Sequence, residues 1–271
     1  MNLVLRIWNS SLGKKYLMAL SGVVLVLFVI GHMIGNLQIF LGPEAINRYA
    51  HFLQSNVELL WPVRLFLLGM VVLHVISAIR LTLENRAARP VDYAHGQPPL
   101  AASLASRTML VGGLVVAAFI IFHLLHYTVK IDPLSVVKAD GPVAPIKFQD
   151  LKERLLTGET RPDVYAMMIA GFRNPWISLC YAIGVSLLCL HLSHGIAAMF
   201  QSLGFRNHVY SPLIEKAAKA IALLLLIGYL SIPAAVLLGL GRAHLEEAVT
   251  QAVSSKSLPA PAQVPPLPPA K

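Results

Sequence analysis

The apolar residues of this chain gather into long unbroken runs, and the polar residues fall between them. Five runs, at about 16–41, 60–83, 108–130, 176–200 and 217–240, are each long enough to cross a hydrocarbon core of about 30 Å, which takes roughly 20 residues of helix. Inside lipid the backbone can satisfy itself only as helices or as a closed barrel, and runs without polar alternation exclude the barrel. The expected fold is all-α: an integral membrane bundle of five transmembrane helices filling residues 1–250. Pro62 falls in what reads as the first turn of the second span, where a helix tolerates proline. Pro233 lies inside the fifth and is expected to kink it.

The polar segments differ in kind. The connection after span two carries Glu84, Arg86, Arg89, Pro90, Pro98, Pro99 and Arg107, a solvated turn. The longest, about 131–175, holds a charged stretch from Asp150 to Arg154 and then Tyr165-Ala-Met-Met-Ile-Ala, expected as a short helix lying at the membrane interface. Residues 251–271, rich in Pro and Ala, are expected to form a disordered tail.

Composition agrees with lipid as the main solvent. Charged residues make up only 13% and hydrophobic ones 56%, against roughly 25% charged in a soluble domain, which excludes a soluble globular enzyme. The net charge of +9 is read as Lys and Arg on cytoplasmic flanks, not as a nucleic-acid surface. The short segments 1–15, 80–107 and 201–219 are uniformly basic, which puts the N-terminus inside. The first run is too long for a secretory signal and lacks a small-residue cleavage site, so it reads as a retained span.

Candidate chemistry lies in the histidines. The two cysteines, Cys180 and Cys189, sit nine residues apart on one span. They face opposite ways, neither bridging nor forming a thiolate cluster, so iron–sulfur chemistry belongs to a partner. Six of the ten histidines fall in the spans: His32, His74, His123, His126, His191 and His194. An ionisable group inside a membrane is costly and normally faces a partner in the bundle interior.

Depth sorts them. At 1.5 Å per residue, His32 lies about 25 Å above Lys15 and His123 about 24 Å above Arg107, whereas His74 is only about 9 Å above Arg80 and His191 about 15 Å above Gln201. An outer pair, His32 with His123, and an inner pair, His74 with His191, each join alternate helices. That suits two stacked haems b, each held between two neutral imidazoles in a water-poor four-helix core. Zinc or di-iron sites want carboxylates or ligands clustered at one depth. His126 and His194 follow their neighbours by three residues and share their faces, so spacing leaves them open as alternate ligands.

Other residues have two readings each. Gly31, Gly35 and Gly112-Gly113 either pack helices or make room for a porphyrin. Arg80 is an interface anchor, a partner for a propionate, or both. Glu58, just before Trp61-Pro62, is a solvated carboxylate or a proton partner for a quinone, with Tyr49 and His51 as companions.

Several segments together resemble one family. They are Ser10-Ser-Leu-Gly-Lys-Lys-Tyr-Leu-Met-Ala-Leu-Ser-Gly22, Ile30-Gly-His-Met-Ile-Gly-Asn-Leu37, Asn47-Arg-Tyr-Ala-His-Phe-Leu53, Leu73-His-Val-Ile-Ser-Ala-Ile-Arg80, Phe122-His-Leu-Leu-His-Tyr-Thr128, Asp163-Val-Tyr-Ala-Met-Met, Gly171-Phe-Arg-Asn-Pro-Trp176, and Leu190-His-Leu-Ser-His-Gly195 with Met199-Phe-Gln-Ser-Leu-Gly204. Across about 10–205 the chain resembles the cytochrome b membrane subunit of bacterial succinate dehydrogenase/fumarate reductase (complex II), of the single-polypeptide, five-helix, di-haem type.

The resemblance implies axial ligands at His32, His74, His123 and His191, a propionate partner at Arg80 and a quinone-site carboxylate at Glu58. It also implies a flavoprotein subunit with FAD and an iron–sulfur subunit on the cytoplasmic face of a bacterial inner membrane. Electrons from succinate would then reach a membrane quinone, expected to be menaquinone. Cys189 stands where related di-haem fumarate reductases have a proton-transfer glutamate, so that path is not carried over. Two rival readings are the cytochrome b subunit of a formate dehydrogenase or hydrogenase, and a transporter relaying protons through its histidines.

Overall fold

A computed structural model describes residues 2–88, 104–137 and 145–257. Its long helices are α2 (Ser11–Leu37), α4 (Val57–Ala87), α5 (Leu104–His123), α7 (Pro175–Ser202) and α8 (Ser211–Leu237). By length and composition all five spans are long and apolar enough to cross a membrane, and the chain is a multi-pass helical membrane protein. Side chains such as Leu27, Leu65, Leu190 and Leu224 project outward and exposed, as a lipid-facing surface requires.

Capping residues set the helix ends. Ser10 Oγ accepts from the Gly13 amide at 2.9 Å and starts α2 behind a short helix, α1 (Leu3–Asn9). A Cβ on Gly13 would lie 2.0 Å from the Ile7 carbonyl oxygen, so only glycine lets α1 fold back this closely. Lys14, 3% exposed, pairs with Glu84 at 3.0 Å and ties the N-terminal end of α2 to the C-terminal end of α4, the end of the bundle labelled inner. Asn174 caps α7 by accepting from the Trp176 and Ile177 amides, with Pro175 at the first helical position.

The structure adds to or departs from the sequence-based expectations in five places. Helix α4 begins at Val57, so Pro62 lies inside it and leaves the Glu58 carbonyl without its i+4 amide. The segment after span one is helical, α3 (Pro43–Ser55). The segment after span three folds into two short hairpins, β1 (Val136–Val137) with β2 (Ile146–Lys147) and β3 (Lys152–Arg154) with β4 (Thr160–Pro162), on a chain that is otherwise an all-α bundle. Helix α6 (Val164–Arg173) does not lie on a surface: Tyr165 through Ile169, Gly171 and Phe172 are all buried. Lastly, α9 (Arg242–Ser257) places residues 251–257 in a helix, where the sequence reading expected a disordered tail. Residues 258–271, with Arg89, Pro90, Pro98 and Pro99, lie outside the described residues, as does the Arg107 side chain.

Two apolar cores result. In the inner half, Val185, Cys189, Leu192, Ile196 and Ala197 of α7 pack against Ala218, Ala222 and Leu225 of α8. The small alanines let the two helices approach closely. The second core lies at the outer end, where α6 is enclosed by Ile39, Ile46, Phe148, Leu151, Ile232, Val236 and Leu245.

Candidate functional site

Helices α2, α4, α5 and α7 bring the intramembrane histidines together in twos. His32 on α2 and His123 on α5 have ring centroids 5.7 Å apart, at 77° to one another. His74 on α4 and His191 on α7 lie 6.4 Å apart at 68°. Those are the pairs that depth along the sequence selects. Among the described residues no three or more His, Cys, Asp or Glu side chains gather into a metal-holding group.

The surroundings differ between levels. At the inner level, His74 Nδ1 lies 3.1 Å from the Met18 carbonyl and 3.2 Å from Ser21 Oγ. Ser21 Oγ itself donates to the Leu17 carbonyl at 2.8 Å. The carbonyl can only accept, so Nδ1 carries the proton and Nε2 keeps a free lone pair. A Cβ on Gly22 would stand 3.6 Å from the His74 ring, and one on Gly113 3.3 Å from the His191 ring. The Gly113 approach is tight, whereas a side chain at Gly22 would make only ordinary contact with its imidazole. His191 Nδ1 is buried with no hydrogen-bond partner among the described residues.

At the outer level His32 stacks on Phe28 at 5.3 Å and sits 6.4 Å from Tyr229, whose hydroxyl donates to the Val29 carbonyl. His123 Nδ1 lies 3.2 Å from Tyr181 Oη.

The alternates His126 and His194 are placed apart from these pairs. Helix α5 widens into a π-helical stretch, Leu124–Val129, a local shift common at functional sites. It turns His126, fully buried, toward Tyr127 (4.1 Å) and Phe148 (5.6 Å). His194 makes no ring contact with another histidine among the described residues.

Of the remaining candidates, Gly113 meets His191, Gly35 instead packs beneath Tyr49, and Gly31 and Gly112 face open space. Arg80 is exposed near the inner end of α4, without an ion pair to a described residue. Glu58 is exposed in the first turn of α4, beside Trp61, over which Arg64 sits at 5.6 Å. His51 is half-buried on α3.

The sequence reading missed Ser21, Gly22 and Tyr181. Tyr181 stands ten positions before His191, which by the same helix rise sets it roughly 15 Å toward the outer side, level with His123. It also missed a polar clasp outside the spans. Asp163 caps α6, accepts from Asn47 Nδ2 at 3.0 Å and pairs with His244 Nε2 at 2.7 Å. Beside it, the buried Arg161 pairs with Glu153 and Glu44. Burial by itself would raise the Asp163 pKa, but the bonds from His244, the Ala166 amide and Asn47 outweigh it and hold it below the usual carboxylate value. The same Asp163 bond raises His244 above the usual imidazole value.

Fold and site together define a multi-pass helical membrane protein with two half-buried histidine pairs at separate depths. No family model, curated protein or solved structure matches the chain.

Proposed function

We propose that this chain is the membrane anchor and di-haem cytochrome b subunit of a succinate dehydrogenase (succinate:quinone oxidoreductase). In this reading His32 with His123 hold the outer haem b and His74 with His191 the inner one. The observation that carries it is the meeting of four histidines from four helices in two facing pairs. Two imidazoles bonded to one metal at about 2 Å each place their ring centres roughly 6 Å apart, close to both separations seen here. Bound haem b would supply one-electron redox chemistry between a cytoplasmic iron–sulfur partner and a membrane quinone.

The protein's own groups bind and orient. The Met18 carbonyl and Ser21 hold His74 in the tautomer that offers Nε2. Gly113 leaves clearance beside the His191 imidazole. The surrounding apolar helices exclude water, which keeps the imidazoles neutral. Arg80, at the inner end, is assigned to a propionate, and Glu58, at the outer end, to proton exchange with the quinone, menaquinone by family resemblance. FAD and iron–sulfur clusters belong to the flavoprotein and iron–sulfur subunits, which would dock on the basic inner side of a bacterial cytoplasmic membrane.

Site substitution tests this. His74→Ala or His191→Ala is expected to lower bound haem from two per chain to one and to stop quinone reduction by succinate in the assembled complex. Full haem content in both variants would overturn the assignment. Copurification with a covalent-flavin subunit is expected. A molybdenum or nickel–iron partner would favour the formate dehydrogenase or hydrogenase reading.

A further inference from the structure

Tyr181 touches both histidines of α5. Its hydroxyl lies 3.2 Å from His123 Nδ1 and 3.0 Å from His126 Nδ1. A phenol has one proton to give, and its oxygen has no third partner among the described residues, so the proton is satisfied only when Tyr181 accepts from one imidazole N–H and donates to the other. The two rings are not equivalent. His123 faces His32 across the bundle, whereas His126 is wedged among Tyr127, Phe148 and Phe122. His126 Nε2 is buried and has no hydrogen-bond partner among the described residues. Tyr181 itself cannot swing away. It is 6% exposed and held edge-on by Phe119 at 5.4 Å and Phe172 at 5.0 Å.

We propose that Tyr181 is a positioning residue of the outer site, its oxygen accepting the His123 Nδ1–H and its proton going to His126 Nδ1. This rests on the di-haem reading above. The arrangement leaves His123 Nε2 as the metal-binding nitrogen. It also makes His126 a neutral Nε2–H tautomer that supports Tyr181 and is not itself a ligand. A hydrogen bond accepted from the far N–H of a ligating imidazole makes that imidazole more basic and favours ferric iron. Tyr181 therefore lowers the potential of the outer haem relative to a site without it.

The test is Tyr181→Phe in the complete complex, with redox titration of the haem absorbance and EPR of the ferric haems. The outer haem is identified as the one lost in His32→Ala. Two haems are expected to remain, with the outer midpoint raised and its EPR signature shifted while the inner haem is unchanged. Two haems with unchanged midpoints would overturn the role of Tyr181. So would loss of the outer haem in His126→Phe while Tyr181→Phe retains it, which would make His126 the ligand. If Tyr181→Phe fails to assemble, 3-fluorotyrosine at position 181 keeps the shape but weakens the oxygen as an acceptor. The same upward shift is then expected, and its absence overturns the proposal. A haem-free wild-type complex would remove the di-haem reading and this role together, whereas unchanged potentials remove only the latter.

Discussion

Asp163 is 2% exposed and accepts hydrogen bonds from three segments: Asn47 on α3, the Ala166 amide at the start of α6, and His244 on α9. Asp163→Ala deletes a helix cap and leaves Asn47 and His244 without their acceptor. It is expected to cost about 3 kcal/mol or more, read as a lower unfolding midpoint in detergent. The His244 contact also makes stability pH-dependent. The raised His244 value means its contribution is complete below the ordinary imidazole pKa of 6.5 and is lost as pH rises through the higher folded value. The depressed Asp163 value means its contribution is complete above 3.8 and is lost as pH falls through the lower folded value. The clasp is therefore strongest between those limits. The unfolding midpoint should fall as pH rises above 6.5 in the wild type, and this slope should flatten in His244→Gln. An equal slope in both proteins would show that another group titrates. None of this was legible in the sequence, because Asn47 and Asp163 are 116 positions apart and each alone reads as an ordinary loop polar residue.

At the scale of elements, the spans were readable and their accessories were not. A membrane helix needs a long apolar run whatever its neighbours do, which is why each run falls on one of α2, α4, α5, α7 and α8, with ends that differ by up to seven residues. The histidine pairs were readable for a related reason: helix rise is rigid, so counting residues from a basic flank measures depth. Helices α3, α6 and α9 take their stability from packing on one another, and no local pattern announces that. The π-helical stretch at Leu124–Val129 has no signature in composition, so His123 and His126 looked equivalent until the structure turned one of them away. The contact between α5 and α7 depends on Gly184, where a Cβ would lie 2.3 Å from the Phe119 ring. Gly184→Ala is expected to push Phe119 off Tyr181 and destabilise the chain by about 1–3 kcal/mol. Thermal unfolding checks this, and an unchanged midpoint would show that the helices separate at no cost.

Across the whole molecule, the inner ends of α2 and α4 are fastened by Lys14 and Glu84, and the outer ends of the bundle are covered by α3, α6 and α9 around Asp163. Between these two fastenings lie two layers of paired imidazoles, one beside Ser21 and the other beside Tyr181 and Tyr229. Such an interior has little use in a simple anchor, and it suits a bundle that carries redox groups at two depths. The proton-relay transporter reading uses the same histidines but needs no iron. Haem content of the purified chain, expressed in a haem-replete host and assayed as the pyridine haemochrome, separates the two most directly. The account predicts a b-type spectrum at close to two haems per chain; a folded, fully helical chain that binds none would contradict it.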